Sequence, residues 1–234
     1  MLLLCILTFV FSSVSSETEV QMAVLLPNDS YRLFSDDKLL PAIEIGIERV
    51  QKALVPDVKF NVSYADTKCH IGIAMNEAIK FRYSGTVHAF FGPVCDYAVA
   101  PVARQSKFWN IPVISVGAMA SEFHDFRKKD YPYLIRAGPV NFNNVAEYFK
   151  HMFDYYSWRK FKIIYERNGQ DVVFEDFCHI MSVAIYYNLK ADSSNTTSDY
   201  FKLDPQVDLG NLLVTETGHS YGGKTTLNFF STLS

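Results

Sequence analysis

Several residue patterns are missing from this 234-residue chain, and each absence closes a class of function. No basic cluster is present. The densest run, "FRKKD" at Phe126 to Asp130, reads as a solvated loop, and the net charge is −3. Nucleic acid and acidic membrane surfaces, which demand a basic face, are therefore not expected partners. Neither G-x-S-x-G nor H-E-x-x-H occurs. Those spacings put a nucleophile on a sharp strand-to-helix turn or two imidazoles on one helix face. The six histidines, at 70, 88, 124, 151, 179 and 219, form no i, i+4 pair and no cluster with cysteine. "EDFCH" at Glu175 to His179 gathers metal-ligand residue types, but it reads as a helix surface plus a cysteine position. No metal or cofactor is expected. Past residue 16 no apolar run approaches the roughly 20 residues that span a bilayer.

What is present begins with "MLLLCILTFVFSSVSS". Leu2 to Phe11 is one apolar run followed by small residues, with Val14 and Ser16 in the pattern of a cleavage site. Residues 1–16 read as a secretory signal peptide. Cys5 then leaves with it, and Cys69, Cys95 and Cys178 remain. An odd number in an oxidising compartment implies one disulfide and one cysteine left over. Glycosylation sequons at Asn28, Asn61 and Asn195 agree with a secreted or extracellular chain.

Beyond residue 17, strand and helix patterns alternate. "VQMAVLLP" is a continuous apolar run of the kind a buried parallel strand shows. "DDKLLPAIEIGIERVQKAL" has acids at its start and apolar residues at helical spacing. "VKFNVSYAD", "TVHAFFGP" and "IPVISVGA" read as strands. "IGIAMNEAIKFRYSG", closing on Gly85, and "DYAVAPVARQSKFWN" read as helices. A short strand in "YPYLIRAGP", a helix in "NNVAEYFKHMFDYYSW", a strand in "KFKIIYE", a helix in "VFEDFCHIMSVAIYYNL" and a strand in "YFKLD" follow. This alternation predicts an α/β fold with doubly wound parallel sheets. The Gly138–Pro139 break marks a crossing between two lobes.

The segment "FFGPVCDYAVAPVARQSKFWNIPVISVGAMASEF", Phe90 to Phe123, resembles the extracellular ligand-binding region of receptor guanylate cyclases and natriuretic peptide receptors. "ADTKCH", "LIRAGP" and "FEDFCHIM" carry the likeness from about Val20 to Asp204. The resemblance implies a type I periplasmic-binding-protein fold. It implies a first lobe over residues 17–137, nearly complete, and a partial second lobe over 138–204. It implies a disulfide between Cys69 and Cys95, and Cys178 at a second-lobe half-cystine position without a partner in this chain. Tyr97 matches an aromatic residue that contacts peptide hormone, with packing against its own lobe as the competing use. The family also holds chloride at the turn after the third strand, which here is Val94 and Cys95, with Ser63 as the upstream serine. Val94 stands where the family has glycine, which sets this chain apart. The expected activity is extracellular ligand binding for signal reception, not catalysis. The partners are a small molecule, ion or peptide, and a second copy or a full-length receptor. A solute-binding protein of the same fold is the alternative. The likeness stops near Asp204, and the membrane span, kinase-like and cyclase domains of the family do not follow. The chain therefore reads as one shortened within the second lobe.

Two further readings stay open. Cys95 with His70 or His88 has the residue types of a nucleophile and base. The tail, residues 205–234, contains "GHSYGGKT", in which Gly218, Gly223, Lys224 and Thr225 satisfy the phosphate-loop pattern. Such a loop needs a strand before it, and "LLVTET" can supply one. It also needs a magnesium-holding acid on a neighbouring strand, and only nine residues follow Thr225. A glycine-rich turn is the simpler use.

Overall fold

The computed structural model describes residues 18–138, 140–191, 197–203, 206 and 208–218. The signal segment, Asn195 and the phosphate-loop residues beyond Gly218 lie outside the described residues. The elements run β1 (Thr18–Leu26), α1 (Asp36–Ala53), β2 (Val58–Asp66), α2 (Ile71–Ser84), β3 (Ala89–Phe91), α3 (Asp96–Trp109), β4 (Val113–Ser115), α4 (Glu122–Asp125) and β5 (Leu134–Arg136). Then come α5 (Phe142–Tyr155), β6 (Lys160–Glu166), α6 (Phe177–Ala191), β7 (Thr197–Leu203) and α7 (Leu209–Glu216).

The first five strands form one parallel sheet in the order β2-β1-β3-β4-β5. Because β2 lies on one side of β1 and β3 on the other, the crossovers reverse direction after β2. Right-handed crossovers then put α1 on one face and α2 and α3 on the opposite face. The fold class is the α/β class with parallel strands that the alternating pattern predicts. On the α2–α3 face, Ala23, Phe90, Val113 and Leu134 stand in register and are buried. Ala74, Ala78, Ala98, Val99, Val102 and Ala103 of α2 and α3 pack over them, the small side chains letting the helices approach closely. Each Val, Leu or Phe buried this way contributes about 1.5–3 kcal/mol.

The second sheet pairs β6 with β7, also parallel, and α5 and α6 pack together beside it. Phe161 of β6 meets Phe153 of α5 edge-on, with ring centroids 5.2 Å apart, and Tyr186 of α6 at 6.4 Å. Lys162 of β6, whose side chain is nearly buried, pairs with Asp199 of β7 at 3.1 Å and with Glu216 of α7.

Two local expectations change. "LLVTET" is not a strand but the body of α7. Asp208 caps this helix by accepting the Gly210 N–H at 2.9 Å, and the Lys162–Glu216 pair holds its far end. The helix expected from Val173 begins only at Phe177. The four residues before it form a turn whose Phe174 is buried against Phe142 and Phe177.

Candidate functional site

In open α/β sheets, ligands gather beyond the carboxyl ends of the strands. Here that edge is built by three tight turns. After β3, a cis Gly92–Pro93 bond leads into Val94 and Cys95 and then α3. Gly92 has φ +84°, and a Cβ there would come within 2.1 Å of the Leu25 carbonyl oxygen, so only glycine fits. After β2, Thr67 to His70 turn into α2. Cys69 in this turn is disulfide-bonded to Cys95, with Cα atoms 5.5 Å apart. The Thr67 hydroxyl accepts the Cys69 N–H at 3.3 Å, and His70 Nδ1 accepts the N–H groups of Gly72 and Ile73 as the cap of α2. His88 Nδ1 accepts the Gln21 N–H at 2.8 Å. Cys95 is thus oxidised and both imidazoles are occupied by backbone, which corrects the nucleophile-and-base reading.

The third turn follows β4. Ser115 donates its hydroxyl to the Pro93 carbonyl at 2.6 Å and accepts the Gly117 N–H at 3.1 Å. Asp96, the first residue of α3 and almost wholly buried, accepts N–H groups from Met119 at 3.0 Å and Ala120 at 2.7 Å. Burial pushes its carboxyl up to about 6, against the opposing pull of the backbone N–H groups and the Arg136 charge. Asp96 therefore ties the β3 and β4 turns into one rigid platform.

Tyr97 follows Asp96 and is 41% exposed on that platform. Facing it is the segment Arg167 to Asp176, which joins β6 to α6. Arg167 grips the Asp176 carboxylate with Nε and Nη2, the latter at 2.6 Å from Oδ2. This fork holds Asp176 below the usual carboxylate range and raises Arg167. The Tyr97 hydroxyl stands 3.5 Å from Asp176 Oδ2. Burial raises the Tyr97 phenol, and the Asp176 charge adds to that. Asp171 accepts the Asp176 N–H at 3.1 Å. Two further contacts join the units: Arg32 donates to the Asp171 carbonyl at 3.1 Å, and the Leu33 N–H to the Val172 carbonyl at 2.8 Å. Behind the segment, Tyr165 Oη lies 2.8 Å from His179 Nδ1. The aromatic ring of the first unit thus stands against the ion pair of the second.

The other residues singled out in the sequence lie as follows. Val94 is buried in the core, so its side chain fills space that a glycine would leave empty. Ser63 is exposed on edge strand β2, with β1 between it and β3. Cys178 is a free, buried thiol whose pKa burial raises. Asn28 is exposed just past β1, and Asn61 is partly exposed and donates to Glu19 at 3.0 Å. Gly218 ends α7, with φ +45° and its N–H on the Leu213 carbonyl. The phosphate-loop pattern thus follows a helix, not the strand it requires. Sequence reasoning missed Asp96, Arg167, Asp171 and Asp176. Asp96 was visible as an acid in the first turn of a helix. The other three were visible only as polar residues after a strand.

This sheet order defines an α/β fold of the kind seen in periplasmic ligand-binding proteins. A solved ABC transporter substrate-binding protein from Desulfitobacterium hafniense superposes with a TM-score of 0.63 at 15% identity, over 85% of this chain and 54% of its own. Residues 38–182 match the receptor family ligand binding region, and the chain belongs to that family. Atrial natriuretic peptide receptor 3 of Mus musculus is 27% identical over 203 residues, covering 83% of this chain and 37% of the receptor. Atrial natriuretic peptide receptor 2 of Rattus norvegicus is 32% identical over 120 residues, covering 50% of this chain and 11% of the receptor. The chain thus spans well under half the length of these relatives. The likeness is to the ligand-binding region of receptors and not to a catalytic domain.

Proposed function

We propose that this chain is an extracellular binding module that takes up a peptide of the natriuretic class in the crevice between its two sheets. The names of its relatives support the ligand class, and the tendency of ligands to gather beyond the carboxyl ends of parallel strands supports the place. Residues 17–137 form the first lobe and 138–204 contribute the second. The observation that carries the reading is Tyr97, a large half-exposed ring set against the Arg167–Asp176 pair of the opposing wall. Aromatic residues on a rigid backbone are favoured contact anchors, because they bury much area for little conformational entropy. The platform under Tyr97 is fixed by Asp96 and the Cys69–Cys95 bond, so binding does not require this wall to be ordered first. The module reports occupancy by changing how its walls meet, for a second copy or a receptor of its family to read. It performs no chemistry of its own.

Calorimetric titration of the secreted chain with atrial natriuretic peptide tests this. Saturable binding is expected, with no heat from Mg–ATP. Binding of Mg–ATP that disappears in Lys224→Ala, with none of peptide, would reverse the assignment toward the nucleotide-binding reading.

A further inference from the structure

The two sequon asparagines among the described residues stand in different surroundings. Asn61 lies within β2, and its side-chain amide donates to Glu19 at 3.0 Å. Asn28 is exposed in the loop that leaves β1, two residues past Leu26. Asp66 accepts its backbone N–H at 2.9 Å, which holds this loop against the end of β2. The Asn28 side-chain amide has no partner among the described residues. Ser30, the hydroxyl residue of the same sequon, is exposed as well, and its carbonyl accepts from Lys38 at 2.8 Å.

Asn28 also borders a cavity of about 190 Å³, where β1 and β2 end beside the first turns of α1. Among the residues lining it are Val24, Leu40, Tyr64, Asp36 and Asp66. Tyr64 is 46% exposed, so its ring is open to a partner. Oδ1 of Asp66 accepts the N–H groups of Asn28 and Lys68, and Oδ1 of Asp36 accepts that of Asp37. The second oxygen of each carboxylate is left for another donor, and an ionised carboxylate can only accept. Aliphatic carbon, one aromatic ring and acceptor oxygens together match a sugar, which has apolar C–H faces and a rim of O–H donors. A cavity of about 150 Å³ holds benzene. About 190 Å³ therefore has room for one six-membered sugar ring and not for a chain of them.

We propose that Asn28 carries an N-linked glycan whose first N-acetylglucosamine occupies this cavity against Tyr64. The inference rests on the extracellular reading, because the sugar is added in the secretory pathway. The donor is an oligosaccharide on a polyprenyl diphosphate. Asn28 Nδ2 bonds to C1 of the first sugar, the C1–O bond to the diphosphate breaks, and the lipid diphosphate leaves with that electron pair. The amide gives up one proton. The sugar then covers apolar surface at the end of the sheet that the polypeptide leaves open.

The full chain, secreted from cells limited to oligomannose glycans, tests this. Peptide mapping should find a glycan on Asn28 that is lost in Asn28→Gln and in Ser30→Ala. Endoglycosidase H, which leaves a single N-acetylglucosamine on each site, should not change the melting temperature. Ser30→Ala keeps Asn28 bare without adding a charge, and after the same treatment it should melt about 2–4 °C lower. In a Tyr64→Ala background that difference should vanish. A bare Asn28 in a chain glycosylated elsewhere, a fall in melting temperature on trimming, equal melting of the trimmed native and Ser30→Ala chains, or a difference that survives Tyr64→Ala would each overturn the proposal. A secreted chain with peptide binding but no glycan on Asn28 would overturn it alone, whereas a chain that is neither secreted nor glycosylated at any sequon would overturn the extracellular reading with it.

Discussion

Tyr97 and Asp176 meet where the first and second sheet units touch, the phenol oxygen 3.5 Å from Oδ2, although 79 residues separate them in the chain. At 3.5 Å the contact is longer than a good O–H···O bond, so it costs little to break. A ligand entering here, as proposed, would exchange a weak internal contact for its own. Arg167 keeps Asp176 charged and in place meanwhile.

Removing the ring should therefore cost peptide affinity directly. Tyr97→Ala is expected to weaken binding by about 2 kcal/mol, roughly 30-fold, as a central aromatic anchor does. Tyr97→Phe should retain most of it, because the long phenol contact contributes little. Calorimetry on both variants checks this. Equal losses in the two would mean that the hydroxyl, not the ring, is the contact.

Asp96 predicts a specific pH dependence. Its folded-state carboxyl is pushed up to about 6 from 3.8, so the folded chain holds this proton more tightly than the unfolded one. The stability it contributes is complete below about pH 4 and is lost as pH rises through about 6, on the order of 3 kcal/mol. Asp176 and Asp199, both lowered, act with the opposite sign and lose stability as pH falls. The stability difference between the native chain and Asp96→Asn should therefore shrink between pH 4 and 7. Urea unfolding at several pH values measures it. A difference that does not change with pH would show that Asp96 stays ionised.

Close approach decides a third case. A Cβ on Gly117 would stand 1.8 Å from the Val94 carbonyl oxygen, which is backbone and cannot swing aside. Gly117→Ala should cost about 3 kcal/mol or more. Gly46→Ala, with open space around it inside α1, should instead stabilise by up to about 1 kcal/mol. Thermal unfolding of the pair is an internal control. Similar melting temperatures for both would contradict the packing of the β3 and β4 turns.

Most of the first sheet could be read from the chain, because β1 and the helices around it follow simple periodicities. The disulfide followed from resemblance, since three cysteines alone leave the pairing open. The contacts between the two units were less legible. The Arg32–Asp171 contact joins residues 139 apart, and no local pattern announces it. Asp176 adopts φ +62°, a left-handed conformation that sequence alone does not single out. The "LLVTET" run misled because six apolar and polar residues fit a short strand as well as a helix. Asp208 and Lys162 settle the matter from outside that run.

The Cys69–Cys95 bond should matter more for stability than for the crevice's chemistry. It closes a loop of 26 residues, which in the chain-entropy account stabilises by about 3.5 kcal/mol. Cys69→Ser with Cys95→Ser should lower stability by that order. Urea unfolding checks it, and an unchanged midpoint would mean that the packed turns alone hold the platform.

In the proposed function the ligand enters between Tyr97 and the Arg167–Asp176 pair. Hydrogen exchange with and without atrial natriuretic peptide tests it most directly. The peptide should change exchange at residues 94–98 and 167–176 together, with the sheet interior unaffected. Saturating peptide that alters exchange only elsewhere, and leaves both walls of the crevice unchanged, would contradict it.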